Sequence, residues 1–150
     1  MDGFGLILPT IKTAVTFPED ALLQRLQVHL SDATALGASV VAALDYAAAK
    51  RNTAISKPYT QVQADFLDGM DRYRQSIGVG KRRFEREVEL IDIMRKDGEI
   101  SCQVRCRTHG RFAFGGTKPQ TELVSVRATA SDVEIGEMIQ SVCQNLAPSS

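Results

Sequence analysis

Asp97-Gly98-Glu99-Ile100-Ser101-Cys102-Gln103-Val104-Arg105-Cys106-Arg107 is the stretch that decides the fold. Asp-Gly is the pair favoured where both residues of a two-residue turn take positive φ, so it predicts a hairpin. Beyond the turn, Ile100, Cys102, Val104 and Cys106 alternate with Ser101, Gln103, Arg105 and Arg107. Successive strand side chains point to opposite faces, so this pattern predicts a strand packed on one face and wet on the other. Upstream, Val88 to Met94 is rich in apolar and β-branched residues and supplies the partner strand. Downstream, His109-Gly110 turns the chain into Arg111-Phe112-Ala113-Phe114. Gly115-Gly116-Thr117-Lys118-Pro119 then reads as a loop before a last strand, Leu123 to Val126. The middle of the chain is therefore expected to be an antiparallel meander.

Helical spacing flanks this meander on both sides. Leu36, Val40, Ala43 and Ala47 draw one apolar stripe, with Asp32 placed to cap the helix that carries it. Near the other end, Ser131 and Glu134 have the spacing of a capping box, and Ile135, Ile139, Val142 and Leu146 follow on one face. The two helices match at an offset of 99 residues (36 to 135, 37 to 136, 40 to 139, 43 to 142). Each opens on an aliphatic-glycine pair, Leu36-Gly37 and Ile135-Gly136. Glycine inside a helix costs about 1 kcal/mol against alanine, so its use twice at one register predicts a close approach of another backbone at both. Each helix also follows a short β-like run, Gln27 to Leu30 and Leu123 to Val126, which makes a strand-to-helix repeat with a longer connector in the second copy. Between the repeats, Val62, Phe66, Met70, Tyr73 and Ile77 predict a third helix over Thr60 to Ile77, capped by Thr60. The expected class is α+β: a single domain over residues 1–150, a mostly antiparallel central sheet, and about three packed helices.

Composition bounds what such a domain does. Among 150 residues, 43% are hydrophobic and 24% charged, the range of ordinary globular chains, and a chain this long buries a sufficient core without metals or disulfides. Lysine plus arginine and aspartate plus glutamate number 18 each, which removes the net attraction that non-specific binding to nucleic acid or an anionic membrane requires. Asp2 stands where an export signal carries a cation, and Pro9 interrupts the short apolar run. The longest apolar stretch, Ala35 to Leu44, is about half of a membrane span. With only 3 cysteines, a disulfide framework is not expected, and the chain reads as cytoplasmic.

The search for chemistry returns few candidates. Cys102, Cys106 and His109 lie close in sequence, but four residues along a strand span roughly 13 Å at about 3.3 Å each, too far for two thiolates to share an ion. The cysteines are expected to be free, buried and without metal, and no cofactor is expected. Only His29 and His109 are available as imidazole bases, and no Gly-x-Ser-x-Gly elbow occurs. Gly78-Val79-Gly80-Lys81 lacks the spacing of a phosphate loop and reads as a turn from helix into strand. Lys81-Arg82-Arg83, Arg86, Arg105, Arg107 and Arg111, with Phe112 and Phe114, form the alternative of a small RNA-binding module using a basic sheet face. The neighbouring Glu85, Glu87 and Glu89 compensate the basic run. On the third helix, Asp65, Asp68 and Asp71 group carboxylates that would steer a basic partner, with Glu19 and Asp20 as a second acidic candidate.

The order of these motifs resembles the immunity proteins of bacterial contact-dependent growth inhibition systems, the CdiI type. The matching pieces are the Leu36-Gly37 helix ending in Lys50-Arg51, the Ile77-Gly78-Val79 turn leading through Lys81 to Phe84, and the Val88 to Met94 strand. The Asp97-Gly98-Glu99-Ile100 hairpin and the closing Ala130-Ser131-Asp132-Val133-Glu134-Ile135-Gly136 segment complete them, over about residues 25–146. The resemblance implies a small cytoplasmic protein that is not an enzyme. It would bind the toxic C-terminal domain of a CdiA-type protein one to one, commonly a nuclease, and occlude its active site, with no membrane and no direct nucleic-acid contact. The family carries no motif-bound site residues, so Asp65, Asp68, Asp71, Glu19 and Asp20 are named from charge and expected exposure.

Overall fold

Asp97 and Gly98 have φ of 53° and 76°, the left-handed pair that a type I′ turn demands, and they join β5 (Ile91–Lys96) to β6 (Glu99–Arg107). The structure, a computed structural model, describes residues 3–7, 10–11, 14–15, 26–51, 58–107, 114–117 and 123–144. Before the hairpin come β1 (Phe4–Leu6), β2 (Thr10–Ile11), β3 (Ala14–Val15) and β4 (Gln27–His29), then helices α1 (Ala33–Lys50), α2 (Tyr59–Ser76) and α3 (Lys81–Glu87). After it come β7 (Phe114–Thr117), β8 (Val124–Arg127) and α4 (Asp132–Gln144). The fold is α+β, as the patterning predicts.

β6 is the centre of the main sheet. β5 pairs with it along one edge, Ile93 opposite Cys102, while β8 and β7 share the other edge, β8 beside Glu99 to Cys102 and β7 beside Arg105 to Arg107. All pairings are antiparallel, and β1 with β4 and β2 with β3 form two further antiparallel pairs. Ile100, Cys102 and Val104 are buried, whereas Ser101, Gln103 and Arg105 retain solvent access, so the alternation in the sequence becomes the two faces of the sheet.

The inner face is covered by α1 and α4. Leu36 and Val40 of α1, Ile135, Met138, Ile139 and Val142 of α4, Val28 of β4, and Ile100, Cys102 and Val104 of β6 form one core cluster. Asp32 caps α1 by accepting from the Ala35 N–H at 3.0 Å. Ser131 caps α4: its hydroxyl accepts from the Glu134 N–H at 3.3 Å and donates to the Glu134 carboxylate at 3.0 Å. The repeat seen in the sequence is a repeat in space. Val28 pairs with Gly5 just before α1, as Val126 pairs with Ile100 just before α4, and each glycine meets the opening turn of the other helix.

Several boundaries differ from the sequence reading. Gly78-Val79-Gly80 leads into α3 rather than into a strand, making four helices among the described residues. Lys-Arg-Arg-Phe-Glu-Arg-Glu has high helix propensity but only Phe84 to mark an apolar face, so hydrophobic periodicity does not show it. The partner strand accordingly starts at Ile91, not Val88. α2 starts at Tyr59 with Pro58 in the cap position, and Thr60 lies inside the helix. Gly115 to Thr117, read as loop, belongs to β7, where pairing with β6 overrides the glycines' weak strand preference. The orientation of Phe112 and Phe114, the side chain of Cys106, and His109 lie outside the described residues.

Candidate functional site

α2 and α3 lie against each other and give no residue to the core cluster. Their junction is built by Arg74, whose side chain is only 15% exposed. Its Nε and Nη2 donate to Asp71 Oδ1 at 3.0 and 2.6 Å, and its Nη1 donates to the Val79 carbonyl at 2.9 Å. Gly78, with φ of 72°, closes α2 in a Schellman arrangement: the Val79 N–H reaches the Arg74 carbonyl and the Gly78 N–H the Gln75 carbonyl.

A groove of about 490 Å³ runs between the two helices, lined by Leu67, Met70 and Phe84 with Asp68, Asp71, Arg74, Lys81 and Glu85 around them. Leu67 is 52% exposed. Sequence reasoning missed this groove because it depends on α3, which periodicity did not reveal; the available signal was Leu67, apolar but off the stripe of Phe66, Met70 and Tyr73.

The structure brings Asp65, Asp68 and Asp71 onto one helix and gives each a local partner. Gln61 Nε2 donates to Asp65 at 2.8 Å, Arg72 pairs with Asp68 at 3.1 Å, and Asp71 holds Arg74 and accepts from Gln75 Nε2 at 3.2 Å. Asp68 is the most open of the paired two, 70% exposed, and its ion pair with an equally exposed arginine contributes only about 0.3–0.5 kcal/mol. Asp68 is therefore the carboxylate most readily offered to another molecule, whereas Asp71 is tied to the turn. Glu19 and Asp20 lie outside the described residues.

Among the described residues the outward sheet face carries Lys96, Arg105 and Arg127 beside Asp92 and Glu99. Arg105 is ion-paired with Asp92, and Glu99 stands between Lys96 and Arg127 on the neighbouring strands. Lys81 and Arg82 lie apart from it on α3, where Arg83 pairs with Glu87 at 3.0 Å. Of the arginines named for a basic sheet face, Arg105 is thus paired with a carboxylate of the same face, while the side chain of Arg107 and all of Arg111 lie outside the described residues.

Among the thiols, Cys102 is fully buried and Cys143 half-buried against the core, and both are free. Burial pushes the Cys102 thiol up to about 12, with Cys143 and Asp92 adding to the shift, and burial also raises Cys143. Neither supplies a thiolate at neutral pH. Among the described residues no group of three or more His, Cys, Asp or Glu is placed to hold a metal ion. No described helix is long and apolar enough to cross a membrane.

No family model, curated protein or solved structure matches the chain.

Proposed function

We propose that this chain is an immunity protein that binds a toxin domain of the contact-dependent growth inhibition type and neutralises it by covering its active site, acting in the cytoplasm without a reaction of its own. The reading rests on the sequence resemblance. The observation that supports it best is the α2–α3 pair: an ordered helical unit that contributes nothing to the core cluster yet presents exposed Leu67 in a groove beside Asp68. An apolar centre with a charged rim is the anatomy of a protein-binding patch. Nucleases that grip a polyanionic backbone present cationic clefts, to which an exposed carboxylate is complementary.

The test is co-expression with the toxin domain encoded beside this chain, scoring growth and measuring binding by calorimetry. Rescue with one-to-one binding is expected. A chain that neither rescues nor binds overturns the reading, and salt-dependent RNA binding without toxin binding would replace it with the RNA-module alternative.

A further inference from the structure

We propose that the free edge of β5 joins two copies of this chain, forming one continuous antiparallel sheet across a twofold axis at Met94. Among the described residues β5 pairs only with β6. The Leu90 carbonyl accepts from the Arg105 N–H at 2.8 Å, which sets the phase of the ladder. Because antiparallel bonding alternates along a strand, Asp92, Met94 and Lys96 exchange bonds with β6, and Ile91, Ile93 and Arg95 turn their N–H and C=O groups to the free edge. Such a row of unpaired backbone groups is a template for another strand.

The side chains select the second strand. Asp92, Met94 and Lys96 share the outward face with Gln103, Ser101 and Glu99, and Met94 is 54% exposed. In a twofold antiparallel pair centred on Met94, each Met94 meets the partner's Met94, and Asp92 lies opposite the partner's Lys96 on both sides of the axis. Ile93 and Arg95 then exchange backbone bonds with the partner's Arg95 and the partner's Ile93, which uses the free groups. Centring on Ile93 would instead set Asp92 against the partner's Met94 and Lys96 against the partner's Leu90, leaving both charges opposite apolar side chains.

The Lys96 side chain makes no ion pair or hydrogen bond among the described residues. Asp92 engages Arg105 through Oδ2, so its other oxygen can accept from the partner's Lys96. Arg95, on the inner face, is neutralised by Asp45 of α1 at 2.9 Å, so the two Arg95 side chains do not repel across the axis. An edge this short buries little area, so the association is reversible rather than obligate.

Sedimentation equilibrium from micromolar to submillimolar protein reads the association. The expected result is a monomer–dimer equilibrium that rises from the 16.4 kDa chain mass toward twice that value. Met94→Lys, which sets two cations on the axis, abolishes the dimer; Lys96→Asp weakens it tenfold or more; Ser125→Lys, on the same face away from the edge, leaves it unchanged, all with unaltered circular dichroism. Met94→Cys gives an intermolecular disulfide on mild oxidation that the parent chain does not, because a non-hydrogen-bonded antiparallel pair holds the two residues close enough to bridge. A monomer at every concentration overturns the proposal, as does a dimer that survives Met94→Lys or a Met94→Cys chain that does not cross-link. Such results leave the immunity reading untouched, since toxin binding is scored separately.

Discussion

Gly37 and Gly136 each meet the first turn of the other's helix: a Cβ built on Gly37 would lie 1.8 Å from the Asp132 carbonyl oxygen, and one on Gly136 1.8 Å from that of Ala33. Ala33 and Asp132 are themselves the first residues of α1 and α4, so the contact is reciprocal about a local twofold. The neighbours are backbone atoms, which cannot rotate away. Gly37→Ala and Gly136→Ala should each destabilise the protein by about 3 kcal/mol or more, the upper part of the overpacking range. Denaturant unfolding measures this, and the double variant should lose less than the sum, because one added methyl already separates the helices.

Tyr73 is buried on α2, and its hydroxyl has no hydrogen-bond partner among the described residues. Tyr73→Phe removes an unsatisfied polar group and leaves the ring, so stability should hold or rise by about 1 kcal/mol. Loss of more than that amount would show that the hydroxyl is bonded.

Burial raises Tyr73 and Cys102 each to about 12, from ordinary values of 10.0 and 9.0. Both groups hold their protons more tightly when folded, so the stability they confer is complete below the unfolded values and declines as pH climbs from about 9 toward 12. Unfolding measured across that range should show the loss, and Tyr73→Phe should flatten the part above pH 10. Native Cys102 should react with thiol reagents only as fast as the protein opens.

Arg74 and Asp68 separate the two roles of the α2–α3 surface. Arg74→Ala loses three bonds made by a largely buried cation and should cost about 1–2 kcal/mol of stability. Asp68→Ala should stay within about 0.5 kcal/mol in stability. If the groove is the toxin-binding surface, Asp68→Lys slows association, more at low salt, with little change in thermal unfolding. Equal association rates for Asp68→Lys and the parent chain would move the interface elsewhere.

The hairpin, the wet and dry faces of β6 and both caps are legible in the sequence, because each depends on geometry a few residues long. Asp97-Gly98 needs only its own φ angles, Asp32 and Ser131 reach N–H groups three residues on, and the alternation from Ile100 to Val104 follows from strand geometry alone. Even the offset repeat announces itself, since a glycine that costs helix stability twice at one register has to be repaid by packing.

What only the tertiary structure decided is where these pieces meet and what remains open. No local signal states that Gly37 faces Asp132, that Arg95 reaches Asp45, or that β5 pairs with β6 alone among the described residues. α3 has no apolar stripe to betray it, and the groove with Leu67 exists only once α3 lies beside α2. The acidic triad shows the same division most clearly. Three aspartates at helical spacing read as one negative surface in sequence, yet Arg72 and Arg74 divide them in space, leaving Asp68 open and tying Asp71 to the turn, because charge is felt through distance rather than through position in the chain.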